Sequence, residues 1–158
     1  WRKALRLSPL SYARSALVLG LGIGASLPEI RRRYPGVAIT VIDWDPVMVG
    51  LFHELSPDDP SSILVGDVAD IIPRLTQTFD LILVDLYTGK QAAPVLFRDE
   101  VVQSISRALA PSGQCIVNAF AEPALLKIFE SQFKRTADWK FRYNQGACFA
   151  HQVSSSSS

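Results

Sequence analysis

The segment from Ala16 to Asp45 constrains the fold of this chain more than any other stretch. It opens with a short apolar run, Ala16 to Leu19, which is typical of a strand buried on both faces of a parallel sheet. A glycine-rich turn follows at 20–24, and residues 27–34 have the pattern of a helix that ends at a Pro-Gly pair. A second strand is predicted over 37–42. The segment therefore predicts a strand–turn–helix–strand unit.

The glycine turn and the residue after the second strand indicate what this unit binds. Glycines allow a sharp bend and let a ligand approach bare main chain at the N-terminus of the helix. Asp43 follows the second strand, where a carboxylate can accept hydrogen bonds from both hydroxyls of a ribose. We therefore expect an adenosine-containing cofactor. The contacts predicted from this unit are Gly20, Leu21, Gly22, Gly24, Asp43 and Trp44.

The sequence pattern of the glycine turn is compatible with two classes of cofactor. Residues 20–24 read G-x-G-x-G, as in enzymes that bind S-adenosylmethionine. Gly20, Gly22 and Ala25 also satisfy the dinucleotide pattern G-x-G-x-x-A, with Asp43 at a spacing near the expected value of about twenty residues. Residues later in the chain must decide between an S-adenosyl compound and NAD.

The rest of the chain alternates predicted strands with predicted helices, and it ends with two consecutive strands. Residues 139–143 and 147–153 form two strand patterns around a turn at 144–146. The alternation predicts a doubly wound, Rossmann-like α/β fold with a mostly parallel seven-stranded sheet, and the C-terminal antiparallel hairpin indicates its methyltransferase variant. This favours S-adenosyl ligands. The other predicted strands cover 62–65, 80–86 and 114–119, and the other helices cover 46–55, 68–75, 95–110 and 123–133.

Acidic residues at two further strand ends belong to the same predicted site, because ligands of open α/β sheets bind outside the carboxyl ends of the strands. Asp67, with Val68 beside it, is placed to accept from an adenine amino group or to cap the next helix, and both roles stay open. Asp85 can hold a substrate amine, accept its proton or fasten the following loop. Tyr87 walls the substrate cleft or lies in the core. We take Asp85 and Tyr87 as candidate catalytic residues, and Asp85 also as a cofactor contact. Asn118, at the end of the fifth strand, completes the set.

Two charged features are assigned to structure rather than to binding. The Arg31-Arg32-Arg33 run is predicted to be a solvated helix face whose cations suit the C-terminal end of the helix dipole. Asp45, next to Pro46, is predicted to cap the following helix.

Composition limits the domain count and the partners. The 158 residues are 48% hydrophobic, which suits one globular core. The net charge of +1 gives no basis for a nucleic-acid surface, and no apolar run has membrane length. Cys115 and Cys148 lack metal-ligand spacing, so no metal is predicted, and they suit a reducing cytoplasm. We expect a helix-like lead-in over 1–15, one domain over 16–153 and a disordered serine tail over 154–158.

Several motifs, in their order and spacing, resemble the catalytic domain of the spermidine synthase family of aminopropyltransferases. The resemblance covers nearly the whole chain from about Ala16 to Val153, and it is most specific from Asp80 to Asn118. It implies decarboxylated S-adenosylmethionine as donor, a diamine as acceptor and methylthioadenosine as product. It also implies that Asp43 binds ribose, Asp67 binds adenine and Asp85 deprotonates the amine. The motifs are VLGLGIGAS, VIDWDP, VGDVADIIPRL, FDLILVDLYTG and LFRDEVVQSISRALAPSGQCIVNAF.

Two positions depart from the pattern of that family. Ile23 stands where the family carries the Asp that holds the aminopropyl ammonium, and Thr88 stands where it carries a second, diamine-binding Asp. The small N-terminal β-domain of the family has no counterpart in these residues. Paired carboxylates make an ammonium pocket selective, so these changes weaken the polyamine assignment more than the S-adenosyl assignment. The chain thus resembles the spermidine synthase-like branch.

The sequence supports three functional hypotheses. The first is a spermidine synthase-like transferase that uses S-adenosylmethionine or its decarboxylated form to move a methyl or aminopropyl group to a small molecule, such as an amine, near Asp85. Its product would be S-adenosylhomocysteine or methylthioadenosine. The second is an inactive domain that binds S-adenosyl nucleosides or forms oligomers, and a homodimer is one expected assembly. The third, an NAD-dependent oxidoreductase, rests on the G-x-G-x-x-A spelling alone.

Overall fold

A computed structural model of the chain describes residues 1–141 and 144–152. The predicted serine tail and Val153 lie outside these residues. Eight strands and helices make up the first half of the chain: α1 (Arg2–Leu7), β1 (Ser15–Leu19), α2 (Ser26–Arg33), β2 (Ala38–Asp43), α3 (Pro46–Leu55), β3 (Ser62–Val65), α4 (Val68–Ile71) and β4 (Phe79–Val84). The second half contains β5 (Tyr87–Thr88), β6 (Gln91–Ala92), α5 (Asp99–Ala108), β7 (Leu109–Asn118), α6 (Pro123–Phe129), β8 (Phe133–Phe141) and β9 (Asn144–His151).

Seven strands form one sheet in the order β3-β2-β1-β4-β7-β9-β8. The first five are parallel, and β9 runs antiparallel to both of its neighbours. This confirms the predicted fold. Because the strand order reverses direction at β1 and β4, a crevice is expected outside the carboxyl ends of these two strands.

Two apolar layers cover the sheet, one on each face. The central strands β1 and β4 alternate their side chains between the layers, as continuous apolar strands of a parallel sheet do. Helix α5 lies on one face with Val102 and Ile105 fully buried, and α2 lies on the other with Leu27 and Ile30 fully buried. None of the helices described has the length and apolar character that crossing a bilayer requires.

The lead-in packs onto the sheet. Ala4 and Leu5 of α1 are buried in the same layer as Leu27 and Ile30 of α2. Cys148 of β9, in that layer, and Cys115 of β7 are buried free thiols, as expected for small core residues. Burial raises the pKa of the Cys148 thiol to about 12.

The arginine run lies in the last turn of α2, as predicted, and each of its side chains also has a partner within the chain. Arg31 forms a two-pronged ion pair with Asp59 at 2.7 and 3.0 Å, and it also donates to the Ser61 hydroxyl. Arg32 pairs with Glu29 of the same helix. Arg33 donates to the Leu10 carbonyl oxygen at 2.9 Å, so each guanidinium of the run is bound within the chain.

Several predicted boundaries were wrong near the end of the chain. The 144–146 turn is part of β9, because Gly146 pairs with Asn118 on one side and with Trp139 on the other. The helix predicted to reach residue 133 ends at Phe129, and β8 begins at Phe133. Residues 111–113 separate the helix predicted to end at 110 from the strand predicted to begin at 114, but they lie inside β7. A register shift there lets Leu109 pair with Phe79 before regular pairing resumes at Gln114.

Candidate functional site

The glycine turn is built by the end of β2. Asp43 is only 7% exposed, and its Oδ2 accepts the Leu21 N–H at 2.6 Å while its Oδ1 accepts the Asp45 N–H at 2.9 Å. Gly20 adopts φ +95, and a side chain there would collide with the Asp85 carbonyl group. Asp43 therefore shapes the turn, and Gly20 lets the turn lie directly against the end of β4.

Backbone hydrogen bonds join the strand ends into one edge. The Gly20 N–H donates to the Ile42 oxygen at 2.9 Å, the Gly66 N–H donates to the Asp43 oxygen at 2.9 Å, and the Asp85 N–H donates to the Leu19 oxygen at 2.8 Å. The polar residues after β1, β2, β3 and β4 are consequently neighbours in space, as the sequence predicted.

Two cavities lie along this edge and share Trp44 and Leu86. The first cavity, about 240 Å³, is lined by residues after β2, β3 and β4 and by the segment before α5: Ile42, Trp44, Gly66, Asp67, Val68, Leu86, Thr88, Ala93, Pro94, Val95 and Arg98. The second cavity, about 270 Å³, is lined by Gly20, Gly22, Asp43, Trp44, Asp45, Met48, Asp85, Leu86 and Tyr87. Their shared walls make one elongated crevice at the place where the topology predicts it.

Most of the predicted site residues line this crevice. Leu21 and Gly24 do not: the Leu21 side chain is buried in the core, and a side chain at Gly24 would meet the Phe52 ring. The Gly24 N–H is bonded to the Leu21 oxygen at 2.9 Å. Direct cofactor contact by these two residues stays a prediction, and what the structure gives them is a part in the shape of the turn.

Both possible helix caps are present. Asp67 Oδ1 accepts the Ala69 N–H at 2.8 Å at the start of α4, and Asp45 Oδ1 accepts the Val47 N–H at 2.9 Å at the start of α3. The Asp67 side chain is exposed and also lines the first cavity, so capping leaves its second carboxylate oxygen for a ligand.

A hydrogen-bonded cluster surrounds Asp85. Its Oδ1 accepts from Asn118 Nδ2 at 2.9 Å, and the Asn118 main-chain oxygen accepts from the Tyr87 hydroxyl at 2.6 Å. The Asn118 amide is oriented by its other end, because its Oδ1 accepts the Phe120 N–H at 3.3 Å. The cluster therefore ties the candidate catalytic pair to the end of β7.

Burial sets the protonation of this cluster. Desolvation raises the pKa of Asp85, and the hydrogen bond from Asn118 opposes that rise. Desolvation, together with the nearby carboxylates of Asp85 and Glu122, raises the pKa of Tyr87 far above its usual value. Tyr87 is therefore a neutral hydrogen-bond donor at ordinary pH, and Asp85 holds a proton more readily than an exposed Asp does.

A third cavity, about 280 Å³, shares Asp85 and Tyr87 with the second cavity. Tyr87 and Phe120 meet edge to face in its wall, with ring centroids 6.0 Å apart. Phe120 has φ +45, and it is the one non-glycine residue with positive φ among residues 1–141 and 144–152. Sequence reasoning missed Phe120, because nothing in the letters after β7 marks a left-handed backbone. The cavity is lined by Asp85, Tyr87, Gly89, Lys90, Asn118, Phe120 and Asn144.

The fold and the crevice define an α/β protein with a cleft at the switch point of its sheet. A family model described as "Methyltransferase domain" matches residues 17–117, more than half of the chain. The chain belongs to this methyltransferase-domain family. Membership confirms S-adenosylmethionine as the cofactor, with S-adenosylhomocysteine as its product, and it favours this interpretation of the glycine turn over the dinucleotide one.

Curated relatives match part of the chain more weakly. Polyamine aminopropyltransferase of Shigella boydii serotype 18 is 28% identical over 110 residues, which cover 65% of this chain and 38% of the relative. The enzyme of the same name from Klebsiella pneumoniae strain 342 is 28% identical over 109 residues. The chain thus spans about two fifths of the length of these relatives.

Solved structures share the whole fold at low sequence identity. N-methyltransferase NodS from Bradyrhizobium japonicum WM9, in complex with S-adenosylhomocysteine, has a TM-score of 0.75 and 18% identity, covering 96% of this chain and 85% of its own. Human methyltransferase-like protein 13, also in complex with S-adenosylhomocysteine, has a TM-score of 0.75 and 18% identity, covering 98% and 77%. At this sequence identity, the similarity to these structures shows a shared fold.

Proposed function

We propose that this protein is an S-adenosylmethionine-dependent methyltransferase that methylates a small-molecule amine bound beside Asp85. The observation that carries the proposal is the arrangement of the three cavities. The first and second meet at Trp44, and the second and third share Asp85 and Tyr87. A nucleoside donor and a small acceptor could thus meet at one carboxylate.

The residues present fit such a donor. The position of a side chain at Gly22 is open, with no atom within 4 Å, so a ligand can approach the main chain there. Asp43 uses one lone pair of each carboxylate oxygen on a backbone N–H and retains another on each for the ribose hydroxyls. Asp67 would accept from the adenine amino group, and Val68 and Trp44 would contact the ring.

The protein would position the donor and the acceptor and would remove a proton from the acceptor nitrogen. The donor supplies a methyl carbon bound to a sulfonium, which is already electrophilic. The acceptor nitrogen forms a bond to that carbon while the carbon–sulfur bond breaks and its electron pair stays on sulfur. The surplus proton passes from nitrogen to the Asp85 carboxylate, whose raised pKa makes it a better base than an exposed Asp. Asn118 holds that carboxylate in place.

The glycine turn favours methyl over aminopropyl transfer. Ile23 is 66% exposed and offers no charge to an aminopropyl ammonium. The N–H groups of Gly22 and Ile23 have no acceptor among the residues described, and they precede the N-terminus of α2. Such N–H groups suit an anion, and the donor carboxylate is present in S-adenosylmethionine but absent from its decarboxylated form.

Calorimetric titration with both donors tests this proposal. We expect the protein to bind S-adenosylmethionine and S-adenosylhomocysteine more tightly than decarboxylated S-adenosylmethionine. Ile23→Asp should shift that preference toward the decarboxylated donor by on the order of tenfold, because the new carboxylate attracts an ammonium and repels a carboxylate. Val47→Asp, an equal change of charge at an exposed site on α3, is the control.

Three outcomes would contradict the proposal in different ways. A preference of the unchanged protein for the decarboxylated donor would support aminopropyl transfer. Tight binding with no S-adenosylhomocysteine formed from any amine would support the inactive binding domain. Absence of binding to either donor would contradict the whole assignment. Location in the cytoplasm and assembly as a homodimer stay predictions.

A further inference from the structure

The third cavity contains two charges of opposite sign. Among residues 1–141 and 144–152, Asp85 and Lys90 are the only charged side chains that line it. Its other walls are the Tyr87 and Phe120 rings, the Gly89 main chain and two asparagines. An acceptor in this cavity is therefore exposed to a carboxylate at one place and to an ammonium at another.

The size of the cavity keeps both charges within reach of one small molecule. A sphere of about 280 Å³ is roughly 8 Å across, which is no more than the screening length of about 8 Å at physiological ionic strength. A molecule whose amine lies at Asp85 and whose other end stays within the cavity therefore has that end in the field of Lys90. The charge on that far end therefore affects binding.

The segment that carries Lys90 is anchored on both sides. Gly89 and Lys90 form the turn between β5 and β6. The Ala92 N–H donates to Glu122 Oε1 at 2.8 Å, and the Ala93 N–H donates to the Leu86 oxygen at 3.0 Å. Glu122 is thus bonded to the base of the hairpin, and it is not a lining residue of the cavity.

Asp85 is fixed as firmly at the other side. Asn118 holds its Oδ1 at 2.9 Å, and the Trp1 side chain also donates to this carboxylate, which retains further lone pairs for an acceptor. Tyr87 is held by the same residue through its hydroxyl, so the aromatic wall and the carboxylate have a common anchor. The two charges therefore belong to two anchored elements that face one space.

We propose that the acceptor carries an anionic group as well as an amine, with the amine at Asp85 and the anion at Lys90. This inference rests on the proposed function, and it specifies the acceptor as a zwitterion rather than a diamine. A diamine would bring a second ammonium toward Lys90, whereas an amino acid-like acceptor would bring a carboxylate. Nitrogen attacks the methyl carbon in the step given above, and the anionic group takes no part in it.

A matched pair of probes tests the inference: 4-aminobutanoate and 1,4-diaminobutane, which have the same chain length and differ in the charge of one end. NMR titration of the protein measures their dissociation constants without any donor. We expect 4-aminobutanoate to bind more tightly by on the order of tenfold, from attraction of one end group and repulsion of the other at about 8 Å. With S-adenosylmethionine present, it should also yield more S-adenosylhomocysteine.

Charge reversal at Lys90 provides the critical comparison. Lys90→Glu should reverse the preference in favour of 1,4-diaminobutane, and Lys90→Gln should leave the two probes nearly equal. Lys134→Glu is the matched control: Lys134 is an exposed lysine of β8 that pairs with Ala150 near the opposite edge of the sheet. It makes the same change in net charge, and the preference should stay as in the unchanged protein.

The inference is overturned if the unchanged protein prefers 1,4-diaminobutane, if it binds neither probe, or if Lys90→Glu leaves the preference as it was. The proposed function fails by a different observation, which is absence of S-adenosylmethionine binding. Because the probe titration needs no donor, the two failures are distinguishable.

Discussion

Asn118 connects more of the site than any residue with an obvious chemical role. Its amide binds Asp85, its main-chain oxygen binds Tyr87, and its side-chain oxygen accepts the Phe120 N–H. A hydrogen bond from an amide stabilises the ionised form of a carboxylate, so Asn118 opposes the rise in Asp85 pKa that burial causes. Asn118 is therefore a positioning residue for the proposed base.

Removing that amide should change the titration of Asp85. We expect Asn118→Ala to raise the pKa of Asp85 further, because the ionised carboxylate would lose a hydrogen bond that stabilises it. Carboxyl ¹³C NMR measures this pKa directly. On acidification, Asn118→Ala should therefore lose methyl-transfer activity at a higher pH than the unchanged protein does, because a protonated Asp85 cannot act as base.

The control for this experiment is Thr136→Val. It removes a hydroxyl that bonds Gln114 Oε1 and the Cys148 oxygen, both at 3.1 Å, within the same part of the sheet but away from the cluster. An Asp85 pKa that is equal in Asn118→Ala and in the unchanged protein would contradict the positioning role.

Single residues differed in how far the sequence could place them. Asp67 and Asp85 were located correctly, because residues that follow the strands of a parallel sheet lie at the same edge of the sheet. The two backbone bonds of Asp43 and the burial of Leu21 were not foreseen, because they depend on the path of the turn. The left-handed Phe120 was missed for the same reason.

At the scale of elements, the pair of Arg31 and Asp59 links α2 to the segment before β3. The Arg31 and Asp59 side chains are only 26% and 13% exposed, and Asp59 also accepts the Ser61 N–H at 2.9 Å. A two-pronged, partly buried pair of this kind holds its geometry better than a surface ion pair. It therefore contributes to the packing of α2 beside the glycine turn.

Loss of this pair should destabilise the fold without changing the site. We expect Asp59→Ala to lower the free energy of unfolding by about 1–3 kcal/mol, because Arg31 would be left partly buried without its partner. Urea unfolding measures the change. Asp58→Ala, at the exposed neighbouring position, should have almost no effect. Equal effects of the two substitutions would contradict the structural role of the pair.

Element identity was predicted more reliably than element boundaries. The central strands were recognised because their apolar runs have no polar interruption. The turn of the C-terminal hairpin was predicted at 144–146 because Asn-Gln-Gly is typical of a turn. In the structure Gly146 is within β9 because its missing side chain makes room for the Trp139 ring. The register of that hairpin depends on the close packing of side chains, which the sequence pattern does not reveal.

At the scale of the whole molecule, the topology follows from the alternation of strands and helices, and the crevice follows from the topology. What the sequence could not show is that the crevice consists of two cavities joined at Trp44 and Leu86, with a third beside Asp85. These spaces depend on side chains from separate elements. Trp44 is 62% exposed, a large fraction for a tryptophan, which is consistent with a role in binding.

Intermolecular NOE measurements with S-adenosylhomocysteine test whether the strand ends gather around one nucleoside. This arrangement predicts contacts from the adenine protons to the Val68 methyl groups in the first cavity and from the ligand to Gly22 in the second. Saturating binding with no contact to either residue, and with contacts at the opposite edge of the sheet near Lys134, would contradict it.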